Sequence, residues 1–243
     1  MTIGKEFLEK TKFQNLMRSD QSLGYPYPPL ELEYADTDVL IDLPDLESVS
    51  TANITVTDAI EKRISVRDYS TEPISMEELS YLLWCTQGVK KVIRDAATFR
   101  TVPSAGARHA LETYILANNV KGLESGLYRF LPIEHKLLQV NTDAGISDRI
   151  AKACLGQDFV KKNTVTFIWT AVAYRMTYRY GERGYRYLHL DAGHVCQNLY
   201  LSAESIGCGV CAIAAFLDDE LNDLLGADGE EEFAIYVATV GKV

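Results

Sequence analysis

The chain has 243 residues, 47% of them hydrophobic, with 34 acidic and 24 basic residues and a formal net charge of −10. That length fills one core and sits at the upper end for a single domain, so one domain carrying an N-terminal extension is expected. The acidic balance works against nucleic acid and anionic membrane surfaces as partners, and five dispersed cysteines make no disulfide framework.

The first residues, MTIGKEFLEKTKFQNL, alternate apolar and charged side chains and lack an apolar core of signal-peptide length. No stretch approaches a membrane span, so a soluble, cytoplasmic protein is expected. Residues 1–50 contain Pro26, Pro28 and Pro29 and read as an extended arm, because proline removes donors and fixes an extended path. The folded domain is then 51–243. Periodic structure begins near Thr57, which is placed to cap a short helix, DAIEKR. Ser75 and Glu78 form a capping-box pattern ahead of Leu79, Leu82 and Leu83, and Gly88 stops that helix.

LETYILANNV, GLYRFLP and HKLLQVN, separated by Gly122, Gly126 and Pro132, predict a β-meander. SDRIAKACLGQDFVKKN reads as one helix, and TVTFIWTAVAY as a buried strand rich in β-branched and aromatic residues. Leu188, Ala192, Val195, Leu199 and Ala203 recur at three- and four-residue steps and predict a core helix ended by Gly207. GVCAIAAF reads as strand or loop, LDDELNDLLG as helix and EEFAIYVATVG as a last strand, which together make an α+β fold around one sheet.

Three stretches could carry chemistry. In KRISVRDYS, Arg63, Ser65 and Arg67 alternate, so an extended backbone turns all three to one side. Two guanidiniums and a hydroxyl on one face suit phosphate; the alternative is surface salt bridging to Glu61 and Asp68. In TVPSAGARHALE, the small residues Pro103, Ser104, Ala105 and Gly106 make a tight turn that a planar ligand can approach, or simply a turn before a strand. SIGCGVCAIAAF leaves backbone N–H groups uncovered for a flat heterocycle, or packs as a close strand.

Two other signals are read conservatively. Cys208 and Cys211 are expected to be buried thiols, because residues three apart in a strand face opposite sides. His189 and His194 splay too widely on a helix to share a metal with Asp191, so no metal site is expected. Tyr174, Tyr178, Tyr180, Tyr185 and Tyr187, interleaved with Arg175, Arg179, Arg183 and Arg186, either line an entry to a site or cover a dimer contact.

Taken in order, RxSxR, PSAG, GHVCQNLYLSAESIGCGVCAI and a final strand ending in Gly241 resemble the nitroreductase superfamily. More narrowly, GLYRF, CLGQD and GERGYRYLHLDAGH are similar to the SagB-type dehydrogenase branch, whose better-known members oxidise azolines in modified peptides. The resemblance runs from about Lys62 to the C-terminus. It implies a nitroreductase-like fold, with a central mixed, mostly antiparallel sheet flanked by helices. It also implies a homodimer with exchanged terminal segments, an FMN cofactor and NAD(P)H as electron donor.

Residue by residue, the resemblance implies that Arg63, Ile64, Ser65 and Arg67 hold the FMN phosphate and ribityl chain. Pro103, Ser104, Ala105 and Gly106 match the turn that the second subunit lays against the flavin. Ala212, Ile213, Ala214 and Ala215 match the loop along the isoalloxazine edge, where a backbone N–H of Ala214 or Ala215 would donate to the reactive ring nitrogen. Lys242 matches a basic phosphate contact. Azoline-oxidising members carry a Lys-Tyr pair where this chain has Arg179 and Tyr180. Arginine stays charged at ordinary pH and is no base, which leaves Tyr180 as a candidate acid or base and Arg179 as a candidate anion binder. Ala107 and Arg108 stand where the family turn often continues with Gly or Asn.

The function expected is ping-pong electron transfer from NAD(P)H to a small organic acceptor, a nitro compound or quinone. The alternatives are an azoline dehydrogenase acting on a modified peptide, and a non-catalytic flavin-binding scaffold in a biosynthetic complex.

Overall fold

The computed structural model describes residues 2–243. The N-terminal segment begins with α1 (Ile3–Lys10) and α2 (Asp20–Leu23), the latter capped by the Ser19 hydroxyl accepting from Ser22 N–H. The arm then runs without regular structure to β1 (Leu40–Asp42). This strand departs from the expectation of an unpacked arm: it pairs antiparallel with residues 136–138, and Leu43 beside it is buried in the core. Three residues are too few to show a strand period, so their pairing partner decides their conformation.

Buried charge holds the rest of the arm. Glu112 Oε1 accepts from Leu32 N–H at 2.9 Å, while Arg129 Nη2 donates to Leu32 O and Glu33 O at 3.1 and 2.9 Å. Arg175 pairs with Glu112 at 2.6 Å, with the two side chains 3% and 2% exposed.

The next helix, α3 (Val56–Lys62), is capped by Thr55, two residues before the expected Thr57. The reciprocal box needs a hydroxyl and an acid three apart: Thr55 Oγ1 accepts from Asp58 N–H, and the Asp58 carboxylate accepts from Thr55 N–H. A short strand, β2 (Ile74–Ser75), leads into α4 (Met76–Gln87), which starts on the expected Ser75–Glu78 box and stops at Gly88. The hairpin β3 (Val89–Ile93) and β4 (Ala97–Arg100) follows.

The meander comprises β5 (Leu111–Ala117), β7 (Gly126–Leu131) and β8 (Lys136–Asn141), with β6 (Val120–Lys121) as a short excursion parallel to β2. The single helix expected next is two, α5 (Ile146–Ala153) and α6 (Phe159–Lys162). The break lies at Leu155 and Gly156, both at positive φ, where Gly156 N–H closes back on Ala151 O. Then come β9 (Val165–Val172), α7 (Ala173–Tyr180), α8 (Gly184–Glu204), β10 (Cys208–Ile213), α9 (Asp218–Leu225) and β11 (Glu232–Lys242).

The main sheet has seven strands in the order β1-β8-β7-β5-β9-β11-β10. Every junction in it is antiparallel, and parallel pairing is confined to β2–β6 and a Ser65–Val210 bridge. Both faces are covered, which explains why β9 is buried along nearly its whole length, Thr166 and Thr170 included. Phe167 and Trp169 face the core built on α4 and α8, whereas Ile168 faces the core built on α5 and α9. The five positions expected to face inward from α8 are all buried. Removing a side chain such as Trp169, fully buried here, would cost about 3–5 kcal/mol.

Candidate functional site

Arg63 follows α3 directly, and the chain beyond it is extended along β10, with Val66 N–H donating to Val210 O at 2.9 Å. The alternation expected from the sequence is present. Ile64, Val66 and Asp68 line one cavity with Gly209 and Val243, while the Ser65 hydroxyl turns the other way to lie 3.1 Å from the Tyr200 hydroxyl. The Arg63 guanidinium sits over the Tyr200 ring, 5.2 Å from its centroid. Among the described residues neither Arg63 nor Arg67 forms an ion pair, so the salt bridges to Glu61 and Asp68 are not made.

Tyr200 was not singled out from the sequence. Its hydroxyl also accepts from Ala212 N–H at 2.9 Å, so one side chain on α8 ties the arginine segment to the end of β10. In sequence it is only an aromatic residue beside the apolar stripe of a core helix. With Ala212 so occupied, the uncovered donors lie further on. Ala214 and Ala215 are exposed, and their N–H groups have no acceptor among the described residues. The Ile213 side chain belongs to the core with Leu221 and Val237. Cys208 and Cys211 are buried, unlinked thiols; burial pushes Cys208 up to about 12 and raises Cys211 as well.

Lys242 is engaged within the chain. Its ammonium pairs with Glu78 Oε1 at 2.5 Å and donates to Ile206 O at 2.7 Å. The other Glu78 oxygen closes the α4 capping box, so the lysine anchors a helix start.

The PSAG turn is held by a carboxylate. The Ser104 hydroxyl donates to Asp191 Oδ2 at 2.5 Å, Ala105 N–H reaches Asp191 Oδ1 at 3.3 Å, and His109 N–H donates to Ser104 Oγ at 2.9 Å. Burial raises the Asp191 pKa, against the lowering effect of those donors. Asp191 thus has a positioning role that no metal reading of HLDAGH supplies. Gly106 has φ +60°, and a β-carbon there would lie 2.5 Å from the Tyr180 hydroxyl and 3.0 Å from Arg179 Nε. The fold therefore brings the turn against the Arg179–Tyr180 pair, which ends α7. Tyr180 packs edge-on against Tyr187, and the Arg179 guanidinium lies 5.6 Å from the Tyr180 ring centroid.

The neighbouring tyrosines and arginines do something the sequence did not suggest: they fasten the N-terminal arm. Tyr178 donates to Tyr25 O at 2.9 Å and Tyr174 to Asp20 at 3.0 Å. Arg183 donates to Thr11 O at 2.8 Å, and Arg186 Nε to Thr11 Oγ1 at 2.6 Å.

These features form two half-sites joined by α8. Asp191 holds the PSAG turn and Tyr200 holds the arginine segment, nine residues further along the same helix. At 100° and 1.5 Å per residue, they point to opposite faces and stand about 13 Å apart along the axis.

The nitroreductase family pattern matches residues 60–242, and the chain belongs to that family. A Methanocaldococcus jannaschii protein provisionally named a nitroreductase is 37% identical over 202 residues, covering 83% of this chain and 96% of that one. A similarly named Anabaena variabilis crystal structure superposes with a TM-score of 0.68 at 27% identity. The match covers 87% of this chain, which spans only 45% of the Anabaena chain. The Escherichia coli microcin synthetase McbBCD complex with truncated pro-MccB17 bound shares the fold, with a TM-score of 0.62 at 19% identity, covering 98% of this chain and 86% of the matched one. The nitroreductase-like α+β fold and membership of an oxidoreductase family are thereby shown. No helix among the described residues is long and apolar enough to cross a membrane.

Proposed function

We propose that this chain is an FMN-dependent oxidoreductase that passes electrons in ping-pong fashion from NAD(P)H to a small organic acceptor, such as a nitro compound or a quinone. The observation that carries the reading is the cation pair at Arg63 and Arg67, left without a carboxylate in a chain of net charge −10 and tied through Tyr200 to the end of β10. Two guanidiniums and the Ser65 hydroxyl fit a phosphate monoester, and the uncovered N–H groups of Ala214 and Ala215 fit the polar edge of a flat ring. When bound, the flavin would supply the hydride chemistry; the chain's residues bind it, orient it and set its surroundings.

A homodimer is part of this proposal. The arginine segment and the PSAG turn face opposite sides of α8, so one chain does not close both around one ligand. A second copy would bring its PSAG turn to the first copy's arginine segment.

Likeness to the McbBCD complex supports a second reading, an azoline dehydrogenase acting on a modified peptide with partner proteins. Arg179 weighs against it, because a guanidinium gives up no proton at working pH. A spectrum of the purified protein, with FMN released on denaturation and bleached by NADH or NADPH, is the expected result. Turnover of a nitro compound or quinone by that protein supports the first reading. Turnover of an azoline peptide alone supports the second. Bound FMN that no donor reduces would leave a scaffold role, and a colourless protein that refuses added FMN would overturn the cofactor assignment.

A further inference from the structure

We propose that Arg179, the Tyr180 hydroxyl and Arg108 form an anion subsite beside Gly106, which takes a carboxylate or phosphate monoester carried by the substrate. This rests on the reading of the chain as a flavin oxidoreductase. The two guanidiniums flank one residue: Arg108 Nε donates to Gly106 O at 3.1 Å, and Arg179 Nε lies 3.0 Å from where a Gly106 β-carbon would be. With no β-carbon at Gly106, the Tyr180 hydroxyl and the Arg179 side chain come right up against the turn, in the space a side chain there would fill.

The donors converging there are largely unspent. Arg179 is exposed and, among the described residues, makes no ion pair or hydrogen bond; its guanidinium lies over the Tyr180 ring. The Tyr180 hydroxyl has no hydrogen-bond partner among the described residues. Arg108 is buried and spends Nε on Gly106 O and Nη2 on Ala96 O, so Nη1 remains. Burial and then the like charge of Arg179 push the Arg108 pKa down, so the two cations repel with no carboxylate between them.

No carboxylate answers the two guanidiniums. Asp191 is bound by Ser104 and Ala105, and neither Arg179 nor Arg108 forms an ion pair with an acid among the described residues. An anion at this spot would relieve the repulsion and accept paired, charge-assisted hydrogen bonds. Arg183 and Arg186, one turn on, are already used by Thr11 and Leu8 and take no part.

The anion could belong to the electron acceptor or be the 2′-phosphate of the nucleotide donor, and the experiment separates the two. KM is measured for 4-nitrobenzoate against nitrobenzene, and for NADPH against NADH, in the wild type, Arg179→Gln and Arg179→Lys. Arg179→Gln is expected to raise the KM ratio of charged to neutral partner at least tenfold in one pair, and Arg179→Lys to recover part of it. A shift in the nitro pair assigns the anion to the acceptor, and a shift in the nucleotide pair assigns it to the donor. Calorimetric titration with benzoate and with inorganic phosphate adds a readout that needs no flavin; one of them is expected to bind the Gln variant at least tenfold more weakly. The proposal is overturned if Arg179→Gln moves both members of each pair equally and neither probe distinguishes it from the wild type. A protein that binds the probe in this way but refuses FMN would instead sink the cofactor reading.

Discussion

Arginines do opposite work in two regions of this molecule. Under the N-terminal arm, Arg100, Arg129 and Arg175 are almost fully buried, and each is answered by protein: Arg175 by Glu112, Arg129 by Leu32 O and Glu33 O, Arg100 by Gln87 and Thr98. At the two half-sites, Arg63, Arg67 and Arg179 are partly or fully exposed, and no carboxylate answers any of them. Buried charge is tolerated only when it is paired or hydrogen-bonded, so the first group reports on folding. The second group lies at the surface and is the one proposed to meet ligands. The contrast separates arginines that hold the fold from arginines proposed to hold a ligand.

The most damaging test of this contrast is Glu112→Gln. It leaves Arg175 charged, buried and unmatched, and is expected to cost about 3–5 kcal/mol in urea denaturation. A midpoint close to the wild type would show that the arm is not held by this pair. Arg63→Ala should do the reverse. Its stability stays within about 0.5 kcal/mol of the wild type, while FMN affinity in a fluorescence titration falls about 10- to 100-fold, the worth of a charge-assisted hydrogen bond. Tyr200→Phe should weaken FMN by a smaller factor, about fivefold, because it removes only the hydroxyl that links Ser65 to Ala212.

A pH series sharpens the buried side of the comparison. Burial, reinforced by Arg100 and Arg108, pushes the His109 pKa from 6.5 down to about 3. The unfolded chain takes up that proton near pH 6.5 and the folded one does not. The contribution is therefore fully present above 6.5 and is lost as pH falls toward 3, at about 1.4 kcal/mol per pH unit. His109→Gln is expected to flatten the stability slope between pH 6.5 and 4.5 by that amount; equal slopes for variant and wild type would remove His109 from the account.

Several features of the fold and the site were legible in order along the chain. The Ser75–Glu78 box, the β-branched and aromatic run of β9, the inward positions of α8 and the alternation of Arg63, Ser65 and Arg67 are all near-neighbour properties. They follow from helix and strand periods and from hydrogen bonds spanning three or four residues. The same logic slipped where two local signals competed. Thr55 and Thr57 both offer a cap, and only Thr55 has an acid at the right spacing. At Leu155–Gly156 a left-handed pair interrupts an otherwise helical pattern.

What the tertiary structure alone decided are pairings between residues far apart in the chain. Leu40–Asp42 became a strand because β8 offered an edge, and Lys242 was taken by Glu78 because the last strand ends beside the start of α4. The Tyr200 hydroxyl meets Ser65 across 135 residues, and Gly106 meets Tyr180 with more than seventy between them. No local period encodes such meetings, since they depend on which faces the sheet and α8 bring together. The amino-acid sequence by itself determined the longer elements, the family and the chemical character of each candidate half-site. Which donors are already used, and which stay open to a ligand, was settled only when distant segments packed.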